Sequence, residues 1–290
     1  MDGYDKIDNV NIHPKLLWHW HWSKNTNLNF SIESYSNTPN LAQLNPIVQD
    51  IDIYQVSQGN PNLKNYQTTT IKLEEDTTMK RAYFQFGMKY VHNWNPIMEE
   101  KFWNTDKSLI ISSFDNQKSM RSTELYTNFR IEPIKNWASV GGNILYKHFY
   151  SLGNNYKHSY NNLGFHINAD IYHWGFDLQW QWHKPYNNFW GESQTGDESY
   201  NMLILDYRIN KKCHVSLVAY NPFTSKYHID EENRNSIAGY ERRTYCNAAE
   251  NLFLAQISWN INWGDKKNNG QKKHISEKVI NDMGTTAVGK

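Results

Sequence analysis

Trp174-Gly175-Phe176-Asp177-Leu178-Gln179-Trp180-Gln181-Trp182 sets the period of this chain. Every even position is a large apolar residue, and the odd ones between them are Gly, Asp, Gln and Gln. A repeat of two sends alternate side chains to opposite faces of a strand, whereas a 3.6-residue helix would smear them around its circumference. The same alternation runs through Leu163-Gly164-Phe165-His166-Ile167-Asn168-Ala169-Asp170-Ile171, and through Leu28, Phe30 and Ile32. Trp18, Trp20 and Trp22 alternate with His19 and His21. From 253 to 263, Phe253, Ala255, Ile257, Trp259, Ile261 and Trp263 share one side, opposite Gln256, Ser258, Asn260 and Asn262. No helical period longer than about two turns is visible.

The strands expected are 14–22, 27–36, 65–74, 80–101, 107–132, 136–151, 159–172, 174–184, 198–209, 212–221 and 243–264. Short connections fall at 23–27, near 134–136, near His173 and at 210–212, and long polar ones at 37–64, 152–159, 184–198 and 222–242. Tight turns alternating with long loops are the wiring of a transmembrane barrel. Residues 1–13 read as a lead-in, 14–264 as barrel, and the polar, Lys-rich 265–290 as a disordered tail.

Composition bounds the alternatives. The 290 residues carry 30 Lys+Arg against 29 Asp+Glu, so nothing electrostatic argues for a nucleic-acid partner. Apolar residues make up only 39%, yet 15% are aromatic, which a disordered chain would lack. Two cysteines exclude a disulfide scaffold and a four-Cys zinc module. No apolar run is long enough for a transmembrane helix, and no signal peptide is visible. A soluble all-β protein and an outer-membrane barrel survive, since a barrel shows lipid only every other residue. The polar face decides between them. It carries Asn, Gln, Ser, His and Gly, as in a crowded lumen, instead of the Lys and Glu of a water-facing sheet.

Residues 33–64 carry a Thr38-Pro39-x-x-x-Gln43-Leu44-Asn45-Pro46 element and then Gly59-Asn60-Pro61-Asn62-Leu63-Lys64. The pair resembles the TonB-dependent-receptor-like outer-membrane β-barrel family of Gram-negative bacteria. A departure follows directly, with Asn65-Tyr66 where the family usually continues Pro-Glu. The aromatic end 257–264 and the basic tail after it are similar too. The resemblance implies an all-β, antiparallel up-and-down transmembrane barrel in the outer membrane. It also implies parents of about 22 strands with a plug domain and a TonB box. Neither is legible here, so the chain is expected to be the C-terminal part of such a barrel, a fragment or a truncated frame. An odd set of about eleven strands cannot close antiparallel, and an open half-barrel is expected.

The expected work is capture of a small substrate by extracellular loops and passage along a polar lumen, in contact with outer-membrane lipid. No catalytic residue, metal site or cofactor is assigned. No G-x-S-x-G, P-loop, G-x-G-x-x-G, H-E-x-x-H or C-x-x-C occurs. His13, His19 and His21 lack a third ligand fixed by spacing and read as polar wall. The acidic runs 74–76, 99–100 and 230–232 read as rim charges. The prolines of 37–64 read first as turn chemistry. Tyr186, Phe189, Trp190, Tyr227 and Tyr240 are the loop aromatics best placed to touch a ligand. The alternative is a secreted all-β carbohydrate-binding module, using aromatics as sugar platforms. The barrel reading sends Phe176, Leu178, Trp180, Phe253, Ile257 and Trp259 to lipid and Asp177, Gln179, Gln181, Gln256 and Ser258 inside. It also keeps Cys213 and Cys246 unbridged, with Cys213 opposite about residue 251.

Overall fold

Period-two segments separated by turn residues can satisfy their backbone only by pairing with one another. The structure, a computed structural model, describes residues 12–106, 108–210 and 212–260. Its first elements are β1 (Lys15–Ser23), β2 (Thr26–Asn37), α1 (Leu41–Leu44), β3 (Gln49–Asp50), β4 (Gln55–Ser57), β5 (Tyr66–Met79) and β6 (Ala82–Trp94). Next come β7 (Ile97–Asn104), β8 (Leu109–Asn116), β9 (Ser119–Ile134), β10 (Ala138–Leu152), β11 (Lys157–His173) and β12 (Phe176–Lys184). Then follow β13 (Asn188–Trp190), β14 (Ser193–Thr195), β15 (Tyr200–Arg208), β16 (Cys213–Tyr220), β17 (His228–Asn233), β18 (Tyr240–Tyr245) and β19 (Leu252–Trp259).

Eleven strands form one sheet in the order β1-β2-β5-β6-β9-β10-β11-β12-β15-β16-β19. Every neighbouring pair in it is antiparallel. Strands β1 and β19 stand at its two ends and do not pair with each other among the described residues. The expected up-and-down set of about eleven strands, left open, is therefore what the backbone adopts.

Register assigns the faces. Phe30, Leu73, Met88, Leu125, Tyr146 and Leu163 form one cross-strand row. One residue along, Asn29, Glu74, Gly87 and Tyr126 point the other way. The second face is the concave one, over which the long loops fold. Phe176 and Leu178 lie on the convex face and are exposed, as are Phe253 (65%), Ile257 (73%) and Trp259 (70%). No second sheet covers this apolar face among the described residues, so the packing a soluble carbohydrate-binding sandwich requires is missing. Trp180 shares the face half-buried, its indole N–H donating to Asn201 Oδ1 at 2.9 Å.

Several expected boundaries move. The segment 80–101 is two strands, broken at Asn95-Pro96. Asn95 takes φ 52°, and Pro96 has no N–H for the ladder. The segment 107–132 likewise splits into β8 and β9 at Gln117-Lys118. Residues 95–118 are thus a long loop carrying its own β7–β8 hairpin, not the continuation of two wall strands. Strand β5 runs on past 74 to Met79, which pairs with Ala82 across a tight Lys80-Arg81 turn. The connection expected to be long at 152–159 is tight, with Gly153 N–H donating to Tyr156 O at 3.0 Å and Leu152 paired with Lys157.

Of 243–264, residues up to Tyr245 belong to a loop sheet, and the wall resumes at Leu252. Because that loop extends to 251, Cys213 pairs with Trp259 rather than with about residue 251. Both cysteines are free, as expected. Residues 1–11 of the lead-in, Ile261 to Gly264 and the tail at 265–290 lie outside the described residues.

Four long loops, 38–65, 95–118, 185–199 and 221–251, leave the same end of the sheet. They build two small sheets, β3-β4-β8-β7 and β13-β14-β17-β18. The buried apolar cluster sits there, where Met98 and Phe189 from the loops pack on Met120 and Phe149 of the wall.

Candidate functional site

The first loop is shaped by the two motifs read in the sequence, which the fold clasps together. Asn40 caps α1 and exchanges a capping box with Gln43. Gly59 N–H donates to Asn45 O and Asn60 N–H to Gln43 O, both at 2.7 Å. A Cβ on Gly59 would lie 2.5–2.6 Å from the backbone of Gln43 and Asn45, so only glycine permits the approach. Asn60 Nδ2 donates to Phe114 O (3.0 Å), and Lys64 exchanges two hydrogen bonds with Asn116, tying the first loop to the second. Leu63 is buried beneath this junction, while Thr38, Pro46, Pro61 and Asn62 are exposed and Pro39 and Leu44 half-buried.

The third loop reaches the same place. The Trp190 indole N–H donates to Ile97 O (3.1 Å), and its ring stands 6.4 Å from that of Tyr66. Trp190 walls three adjoining spaces. One, about 210 Å³, is bounded by Gln43, Glu99, Lys101, Phe114 and Asn233. A second opens toward Asn37, Thr38 and Asn40, and a third, about 280 Å³, descends onto the concave wall past Tyr35, Lys89, Glu124 and Lys147. The result is a crevice at the mouth of the sheet, continuous around one indole.

Its electrostatics are balanced. Glu124 pairs with Lys147 (2.6 Å) and with Lys89 (3.8 Å) on the crevice floor. Buried Glu192 meets His158 Nε2 (3.2 Å) and accepts from Asn235 Nδ2 (2.7 Å). Burial pushes the Glu100 carboxyl above the usual range, with Asp115 and Glu192 adding to the shift. Below the crevice the concave wall is a polar lattice. The Tyr126 ring lies across Gly87, and its hydroxyl donates to Glu74 Oε1 at 2.5 Å. Asn29 Nδ2 and the Tyr83 hydroxyl both donate to Asp76 (2.9 and 3.0 Å). His19 and His21 are hydrogen-bonded to Asn29 and Asn27. Among the described residues no three His, Cys, Asp or Glu side chains gather to hold a metal.

A model of the outer membrane protein beta-barrel family matches residues 2–252. The chain belongs to that family. It is accordingly an outer-membrane protein, with an exposed apolar convex face and a polar concave one. Among solved structures it is similar to the siderophore receptor PirA of Pseudomonas aeruginosa (14% identity, TM-score 0.58), over 86% of this chain and 42% of that one. The PirA receptor of Acinetobacter baumannii matches at 13% identity and TM-score 0.55 over 85% and 40% of the two chains. A variant of the ferric enterobactin receptor PfeA of P. aeruginosa gives 14%, 0.55, 85% and 40%. The chain thus spans about two fifths of the length of these receptors. No curated protein matches it in sequence.

The long loops share one end of the sheet and the tight turns the other. Of the five loop aromatics singled out in sequence, Trp190 lines all three spaces of the crevice and Phe189 borders the third. Tyr186 lies against Gly164 with Lys147 Nζ 5.2 Å from its ring, and Tyr240 holds Lys101 at 5.3 Å. Phe189 (1% exposed) and Tyr227 (6%) are buried in the packing of the loops themselves. Ile97, Lys101 and Phe114 were not singled out and Glu99 was read only as a rim charge, because 80–101 and 107–132 were each read as one continuous wall strand. The Asn95-Pro96 pair, and a 22-residue strand too long for a bilayer, were the available signals.

Proposed function

We propose that the chain is the wall and loop-bearing part of a receptor-type outer-membrane transporter. It captures a small solute at the Trp190 crevice and passes it along the polar concave face without covalent chemistry. The observation that carries this reading is the convergence of Gln43, Ile97 and Trp190, from three separate loops, at the mouth of that face. A half-buried indole offers a stacking surface, and surrounding amides and carboxylates fix orientation, the usual composition of a small-molecule site. The siderophore and ferric enterobactin receptors it is similar to make a compact chelate a reasonable first class of solute to test.

The open edges at β1 and β19 bear on assembly. Unpaired strand edges are not tolerated in hydrocarbon. Eleven strands leave β1 and β19 running in the same direction, so only an odd number of further strands can close the wall antiparallel throughout. A plug domain and TonB coupling belong to the same proposal.

The test is uptake of a solute panel by cells whose complete receptor carries Trp190→Ala. Uptake should fall at least about tenfold with unchanged receptor level in the outer membrane. Unchanged uptake of every transported solute would remove the crevice from the transport route.

A further inference from the structure

The convex face is not uniformly apolar. On β9 its residues run, from the periplasmic end, Ile131, Phe129, Thr127, Leu125, Thr123 and then Arg121. Ten residues at ~3.3 Å, tilted ~40°, rise about 25 Å, the height of the apolar band of an outer-membrane barrel. Arg121 therefore stands where hydrocarbon gives way to headgroups. Rows around it grade the same way. Leu73, Met88, Leu125, Tyr146 and Leu163 give way to Ile71, Tyr90, Thr123, His148 and Asn161, and then to Thr69, His92, Arg121, Tyr150 and Ser159.

Two cations occupy this rim. Arg121 and Lys157 approach the Tyr150 ring, at 5.9 and 5.7 Å from its centroid. Both are exposed, and among the described residues neither has a carboxylate within ion-pair distance. Other lysines and arginines of the sheet and loops do pair, including Lys147 with Glu124 and Arg243 with Asp230. From β2 to β11, no convex-face residue extracellular to the Leu125 row is acidic. Two cations at headgroup height, with no protein carboxylate to balance them, are open to an anion of the leaflet. The lipid leaflet supplies one if its headgroups are phosphorylated.

We propose that Arg121 and Lys157, with Tyr150 between them, form a binding site for a phosphorylated lipid headgroup of the outer leaflet. The guanidinium fork takes two phosphate oxygens and the ammonium a third contact. The Tyr150 ring holds both cations at the right height, and the acyl chains lie along Tyr146, Leu125 and Leu163. Trp94, stacked on His92 at 3.7 Å, extends the same rim as an interfacial aromatic. This site rests on the outer-membrane setting and is independent of what the loops capture.

The test uses the full chain refolded in a non-ionic maltoside detergent and titrated by native mass spectrometry. The probes are diphosphorylated lipid A, the same lipid A stripped of phosphate, and inorganic phosphate. The phosphorylated lipid should bind one to one. The stripped lipid should bind at least about tenfold more weakly. Inorganic phosphate should compete only at a large excess over the lipid.

Arg121→Ala with Lys157→Ala should lower affinity at least about tenfold, and Arg121→Lys should fall between. Ser159→Glu, which adds a carboxylate beside Tyr150 and leaves both cations in place, should weaken binding similarly. It keeps the test decisive should the double variant not fold. Lys24→Ala, at the periplasmic turn, should bind as wild type. Equal binding of the stripped lipid, effective competition by inorganic phosphate, or wild-type affinity in the folded double variant or in Ser159→Glu would overturn the proposal.

Discussion

Replacing Gly59 by alanine puts a methyl group where three backbone atoms already stand. Its Cβ would meet Gln43 O at 2.5 Å and Asn45 N and O at 2.6 Å, against 3.4–4 Å for an ordinary contact. The two strands of the first loop must therefore separate by about 0.8 Å, and none of the obstructing atoms is the end of a flexible side chain. The hydrogen bonds from Gly59 N–H and Asn60 N–H, both 2.7 Å, stretch or break. Two such bonds are worth about 0.5–1.5 kcal/mol each, and overpacking strain adds about 1–3 kcal/mol. The clasp should lose about 2–6 kcal/mol while the eleven-stranded sheet, which does not share these atoms, stays folded.

Trypsin cleavage after Lys64, which is exposed beside the clasp, reads the loss. When opening is fast, cleavage tracks the open population, so the rate should rise at least about 30-fold in outer-membrane preparations of the full chain. Cleavage at the wild-type rate would show that the clasp does not hold the loop. Loss of the whole sheet together with the loop would show that the two are not separate units.

Leu178→Arg on the lipid face should destabilise the membrane-inserted state by about 2–4 kcal/mol if it sits at mid-depth, read by urea unfolding in lipid; a neutral effect would reverse the facing. Tyr126→Phe removes a hydroxyl donor from Glu74 and should cost about 1.5–3 kcal/mol in the same assay, with little change if water replaces it. A membrane-impermeant maleimide added to intact cells should label exposed Cys246 on the fourth loop and spare Cys213 at the periplasmic end; the opposite pattern would invert the chain in the membrane.

The Arg243 guanidinium hydrogen-bonds Asp230 across β17 and β18 and holds its carboxyl below the usual range. A depressed folded pKa gives stability that is present above the unfolded value and is lost as pH falls through the folded one. Protease resistance of residues 228–245 should therefore decline below about pH 4, and Arg243→Ala should remove that decline.

Alternation in 174–182 was enough to give strands and faces, because period two is a local property that survives any neighbour; the membrane class came from the uncharged polar face and the motifs of 33–64. Turn residues such as Lys24-Asn25 and Trp174-Gly175 located most of the tight-turn end for the same reason. Strand 80–101 was misread because strand-forming residues continue on both sides of Asn95-Pro96; that pair marks a break, but nothing local says that the second half pairs with β8 instead of continuing up the wall. The motifs at Gln43-Leu44-Asn45 and Gly59-Asn60 were legible as loop chemistry, but not their mutual clasp, which depends on two backbone approaches fourteen or more residues apart.

Tertiary structure alone assembled the crevice. Gln43, Ile97 and Trp190 have no common sequence signal, and they meet because three loops leave one end of a curved sheet. The same holds for burial of Phe189, which looks as available as Trp190 in sequence but packs against Phe149 and Tyr160. Arg121 and Lys157 are ordinary charges in the chain, and only register places them beside one tyrosine, on a stretch of the convex face that holds no carboxylate from β2 to β11. The sequence determines which way each side chain of a strand points, whereas pairing between distant strands determines what it meets.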